Sequence, residues 1–109
     1  MEVPSALWRK HRLAEIEADV AAVLVAGFED DLFGTDRSAA RFRVVRVSDG
    51  VLASAARLTG TARLRAYDAV QLASAEAART ADPGCDTLAC FDASLRTAAA
   101  ASGFALYPR

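Results

Sequence analysis

Two aspartates are placed where acid chemistry could be assembled. Asp68 follows Arg65-Ala66-Tyr67 in the first turns of a helix expected from about Leu64 to Thr80, and Asp92 closes the apolar run Thr87-Leu88-Ala89-Cys90-Phe91. Each has an ordinary structural use. A carboxylate in the first turn of a helix is favoured by the positive helix end by about 0.3–1 kcal/mol, and an aspartate at an N-cap contributes about 1 kcal/mol. The chemical reading needs the two to meet at one rim of a sheet. Two negative charges ~4 Å apart repel by about 4 kcal/mol at an effective dielectric near 20. Such a pair requires a divalent cation, or one carboxyl keeps its proton. Magnesium takes one or two carboxylates plus waters and can activate a water for attack on a phosphodiester. Spacing alone leaves open whether Asp68 and Asp92 meet.

Holding two such groups falls to the elements around them. Leu7, Leu13, Ile16, Val20, Val23 and Leu24 recur at intervals near three and four, which predicts one helix over 5–28, with Pro4 in its first turn and Gly27 ending or loosening it. The acidic stretch from Glu29 to Asp36 reads as a loop or a frayed turn. Phe42-Arg43-Val44-Val45-Arg46-Val47 predicts a strand, closed by Ser48-Asp49-Gly50. Ser48 or Asp49 can cap a helix from Val51 to about Leu58, stopped by Thr59-Gly60. After the Leu64–Thr80 helix come a turn at Asp82-Pro83-Gly84, the strand Thr87–Phe91, a helix from Ala93 to Ser102 stopped by Gly103, and a last strand, Phe104–Tyr107. Three apolar strands separated by helices predict an α/β fold, a parallel sheet covered by helices, in a single domain over 1–109. In open parallel sheets ligands lie beyond the carboxyl ends of the strands, where Asp92 falls.

The chain of 109 residues is 53% hydrophobic, yet 26 positions are Ala, and Leu, Val, Ile and Phe together also number 26, so the expected core is thin. Charged residues reach 25% with a net charge of −1, which gives no overall pull toward nucleic acid or an anionic membrane. No apolar run approaches the ~20 residues of a spanning helix. Trp8-Arg9-Lys10-His11-Arg12 interrupts the start too early for a signal peptide. Cys85 and Cys90 form no disulfide framework, so a reducing cytoplasm is expected. They read as ordinary small residues rather than a redox pair, and Trp8 and Tyr67 as packing residues. Arg9 to Arg12 spread around a helix, and His11 can face Glu15, which describes a solvated surface. Arg37, Arg41, Arg43 and Arg46 around one strand, and Arg57, Arg63 and Arg65 before Asp68, could guide a polyanion toward an acidic rim. There is no Gly-rich phosphate loop.

The wording of particular segments adds a resemblance. Leu64-Arg65-Ala66-Tyr67-Asp68-Ala69-Val70-Gln71-Leu72-Ala73-Ser74-Ala75 resembles a segment typical of PIN-domain proteins. Leu88-Ala89-Cys90-Phe91-Asp92, with Leu95 and Gly103-Phe104-Ala105-Leu106, is similar to that family's last acidic strand and its final helix–strand unit. Glu2-Val3-Pro4-Ser5-Ala6-Leu7-Trp8-Arg9 is similar to the helix that bears the family's first-half glutamate. The nearest flavour is the VapC-type toxin of bacterial toxin–antitoxin pairs.

The resemblance implies a Mg²⁺- or Mn²⁺-dependent endoribonuclease that cleaves RNA phosphodiester bonds. Glu2, Asp68 and Asp92 would be its catalytic and metal-site carboxylates. Cys90 stands where the family often shows Thr or Ser. An antitoxin protein would be the partner, a homodimer the expected assembly, and the helices Leu7–Leu24 and Val51–Leu58 a possible dimer surface. The family's remaining acidic residue lies on a first strand in a "DTSAL"-like segment that this sequence does not contain. The resemblance therefore implies a PIN-like fold that is N-terminally incomplete. Each large apolar side chain left uncovered forfeits about 1.5–3 kcal/mol, against a whole-domain margin of about 5–15 kcal/mol. The expectation is a chain that is marginal alone, dimer-dependent, or read from a start codon set too far downstream. The alternative is a catalytically inactive remnant that binds only an antitoxin or itself.

Overall fold

The computed structural model describes residues 2–109, with side chains from Val3 onward. Among the described residues the order is α1 (Glu2–Arg12), α2 (Ala18–Phe33), α3 (Asp49–Thr61), α4 (Ala66–Ala81), β1 (Thr87–Ala89), α5 (Ala93–Ala101) and β2 (Ala105–Tyr107). The chain divides into two compact units, Met1–Val44 and Val45–Arg109. None of the described helices is long and apolar enough to cross a membrane.

In the first unit, the single helix expected over 5–28 is two helices. The break is a Schellman turn: the Glu15 N–H donates to the Lys10 carbonyl at 3.0 Å and the Ala14 N–H to the His11 carbonyl at 2.9 Å. Ala14 takes the left-handed conformation this turn requires, at φ 56°. Glycine is the usual residue there, so the apolar periodicity runs through the break without a visible stop. Side chains close the turn instead. Lys10 Nζ lies 2.7 Å from Glu15 Oε2, and His11 Nδ1 lies 3.1 Å from the Ile16 carbonyl. Helix α2 then continues through Gly27 and takes in the first part of the acidic stretch. It stops at Gly34, at φ 78°, where an added Cβ would meet the Ala40 nitrogen at 2.8 Å. Glycine is thus required at 34 and not at 27.

The strand expected over Phe42–Val47 does not form. Residues 43–48 are unpaired and exposed, with Val44 at 73% and Val47 at 54% of full accessibility. β-branched residues favour a strand only where a neighbouring ladder and a packed face exist, and among the described residues this segment has neither.

The second unit follows the expected order more closely. Ser48 is the N-cap of α3, its Oγ accepting from the Val51 N–H at 3.2 Å. The helix passes through Gly60 and ends at Thr61. Two strands form in place of three, a parallel pair in which Thr87, Leu88 and Ala89 face Ala105, Leu106 and Tyr107. Each is three residues long, and Phe91, expected in a strand, is 86% exposed beyond its end. The architecture is mixed helix and sheet, predominantly helical. Its core joins Val51 and Ala55 of α3, Leu64, Ala69, Leu72 and Ala73 around α4, Cys90, Leu95, Ala98 and Ala99 at α5, and Phe104. Alanine lets the helix axes approach closely, and Leu72 and Leu95 are the largest side chains fully enclosed.

Replacing Leu72 by Ala should remove about 2–5 kcal/mol from the unfolding free energy, read as a lower urea midpoint. Ala14→Gly should act oppositely on the first unit. Relief of the left-handed alanine, less the greater chain entropy of glycine, leaves about 0.5–1 kcal/mol. Amide exchange at Glu15 should then slow by roughly two- to fivefold.

Candidate carboxylate site

Asp68 is the third residue of α4, half-buried, with the positive end of that helix behind it. The N-cap of α4 is Arg65, whose side chain makes no capping bond. The start is held by apolar contact instead. Leu64 and Ala69 occupy the two positions of a hydrophobic staple, and both are buried in the shared core. Among the described residues Asp68 has no hydrogen-bond or ion-pair partner.

Asp92 is the N-cap of α5. Its Oδ2 accepts from the Leu95 N–H at 2.9 Å, and the aspartate itself is exposed. The chain reaches it over a braced corner. Cys90 is buried and donates its N–H to the Tyr107 carbonyl at 3.0 Å, while Arg96 Nη1 donates to the Cys90 carbonyl at 3.0 Å. The structural role expected of Asp92 is therefore present, and its Oδ1 accepts no hydrogen bond from the described residues.

The topology brings the N-termini of α4 and α5 to one end. Helix α4 reverses through the Asp82–Gly84 turn, where the Gly84 N–H donates to Asp82 Oδ1 at 3.0 Å, into β1. Strand β1 reverses at Phe91-Asp92 into α5. Both helices consequently run opposite to β1 and in the same sense as each other. A second contact agrees. Arg79, in the last turn of α4, donates from Nη1 to the carbonyl of Ser102, the C-cap of α5, at 2.9 Å, and its guanidinium lies 3.9 Å from the centre of the Phe104 ring. At 1.5 Å per residue, Asp68 lies about 16 Å up the helix axis from Arg79, and Asp92 about 15 Å up from Ser102. Asp68 and Asp92 thus both lie toward the N-terminal ends of their helices, away from the Arg79–Ser102 contact.

Glu2 opens α1 in the first unit, and its carboxylate lies outside the described residues. No group of three or more His, Cys, Asp and Glu among the described residues is arranged to hold a metal ion. The donor set of Asp68 and Asp92 is the size magnesium accepts from protein, the rest of its shell being water and phosphate oxygens. Cys85 is exposed, Cys90 is buried, and both are free. Sequence reasoning passed over Arg79 and Arg96, which fix the ends of α5. Their signal is positional: a cation one helix turn after an N-cap, and another in a last turn ahead of a Gly-Phe pair.

Asparagine can cap a helix as aspartate does, so Asp92→Asn should leave stability within a few tenths of a kcal/mol, whereas Asp92→Ala should cost about 1 kcal/mol. Urea unfolding of both variants separates the cap from the charge. No protein-family model, no curated protein and no solved structure matches this chain.

Proposed function

We propose that the chain is a PIN-type endoribonuclease dependent on Mg²⁺ or Mn²⁺, acting as the toxin of a toxin–antitoxin pair. The observation that carries this reading is that Asp68 and Asp92 each stand at the start of a helix, α4 and α5, whose C-terminal ends are joined through Arg79. The likeness of the Leu64–Ala75 and Leu88–Asp92 segments to PIN-domain wording supports it. The antitoxin partner and a homodimer are proposed on that likeness alone. A PIN-like sheet, wider than the β1–β2 pair, belongs to the same proposal.

The two aspartates would hold the divalent ion, joined by Glu2 if the likeness extends to α1. The bound ion supplies Lewis acidity toward the phosphate and its attacking water. The chain's own part is orientation and field. The cap bond to Leu95 fixes the Asp92 carboxylate in one direction and leaves Oδ1 for a ligand. Asp68 is half-buried, and its carboxylate has no hydrogen-bond or ion-pair partner among the described residues. Both helix N-termini present a partial positive charge of about half a unit, which would favour an incoming phosphate once the divalent ion offsets the carboxylates.

The test is cleavage of a mixed single-stranded RNA by the purified 109-residue chain with Mn²⁺. Cutting should occur, stop with EDTA, and fall at least about a hundredfold in Asp68→Asn and in Asp92→Asn. Asp92→Asn is the cleaner probe because it retains the cap. A folded chain that leaves RNA intact with either metal would sink the nuclease reading and favour an inactive, partner-binding remnant.

A further inference from the structure

A groove of about 460 Å³ lies between the C-terminal end of α3 and α5, lined along α5 from Ser94, near its start, to Ser102 at its end. Leu58, Ala62 and Ala98 belong to its apolar lining, and Arg63, Ser94 and Thr97 to its polar lining. This size suits one nucleotide of a chain rather than a larger folded ligand. Three arginines of this unit are tied by side-chain hydrogen bonds, and Arg63, like Arg46, Arg65 and Arg109, is not among them. Arg57 is tied to Ser54, Arg79 to Ser102 and Arg96 to Cys90. Arg63 is exposed and has no hydrogen-bond or ion-pair partner among the described residues. It is also held at φ 52°, a left-handed conformation that non-glycine residues rarely take.

The groove's position gives these features a direction. Arg63 leads within two residues to the cap of α4, and Ser94 is two residues after Asp92. The Thr97 hydroxyl is occupied with the Ala93 carbonyl, whereas no described group bonds the Ser94 hydroxyl. A cation, a free hydroxyl and an apolar lining match the phosphate, the ribose and the base of one nucleotide. We propose that this groove seats the nucleotide next to the scissile phosphate of a single-stranded RNA, with Arg63 on its phosphate and Ser94 as a hydrogen-bonding partner. The choice of RNA rests on the nuclease reading above. Arg63 acts as a binding residue and takes no part in the chemistry.

The experiment is fluorescence anisotropy of a 5′-labelled octauridylate with the full chain, in EDTA and across a salt series. The decisive variant is Arg63→Gly, which removes the guanidinium and relieves the left-handed backbone, so its melting temperature should be unchanged or raised. It should nevertheless bind about tenfold more weakly at low salt, and the slope of log K against log salt should flatten by about 0.7, one phosphate's share on a single strand. Arg63→Lys should restore most of the affinity, and Ser94→Ala should lose about two- to threefold. An Arg63→Gly protein with wild-type affinity and salt slope overturns the proposal, as does a wild-type chain that does not bind the RNA. Arg63-dependent binding in a chain that never cuts would reject the nuclease reading and leave the groove standing. Metal-dependent cutting with binding indifferent to Arg63 would do the reverse.

Discussion

Arg79 joins three things that would otherwise be independent. Its guanidinium bonds the carbonyl that ends α5, covers the ring of Phe104 that leads into β2, and belongs to the last turn of α4. A cation over an aromatic face contributes about 0.5–2 kcal/mol, depending on how far it is desolvated, and the bond to a helix C-terminal carbonyl adds to it. Its larger consequence is geometric. With the C-terminal ends of α4 and α5 clamped, their N-terminal ends must open at the opposite pole. Gly103 supplies the turn after α5 at φ 87°, a left-handed conformation that favours glycine.

The core around this clamp is built mostly from small residues. Ala55, Ala69, Ala73, Ala98 and Ala99 sit among few large side chains. Alanine buries little apolar area, so the gain comes from close backbone approach and from the helix-forming tendency of the residue itself. The sheet adds little, because two three-residue strands make few ladder bonds. Helix packing therefore sets the orientation of the site, and the strands mainly connect it. This explains why Cys90, just past β1, is braced by both Tyr107 and Arg96. The short ladder needs that reinforcement to deliver Asp92 at a fixed place.

What could be read from the residues depended on whether the deciding contacts were local. The Ser48 cap, the Asp82–Gly84 turn and the Asp92 cap are short-range devices, and each is present where its residues announced it. The division of the first helix was illegible because Ala14 performs a glycine's task, and the bonds that compensate reach five residues along the chain. The strand over Phe42–Val47 failed for the opposite reason. Its residues have the propensity, but pairing depends on a neighbour no local pattern can guarantee. At the site, Asp68 and Asp92 were legible as acidic groups at helix starts. That their helices run in the same sense follows from Arg79 and from the two reversals about β1.

The capping role of Asp92 and a role toward a ligand are compatible, because they use different oxygens. Oδ2 is held by the Leu95 N–H, which fixes the side chain before any ligand arrives, so ordering it on binding costs less. The same end of the unit also has a definite charge balance. Two carboxylates against two helix N-termini of about half a positive charge each leave about one negative charge. That sum attracts a cation and repels a phosphate. Addition of a dication changes it to about one positive charge, and only then does the end attract a polyanion. In the proposed groove Arg63, which has no side-chain partner among the described residues, would supply attraction that does not wait for that change of sign. In the proposed nuclease, an Arg63 unpaired with the two aspartates would keep its charge for the RNA strand, and they theirs for the cation. No described bond or ion pair ties Arg63 to either aspartate.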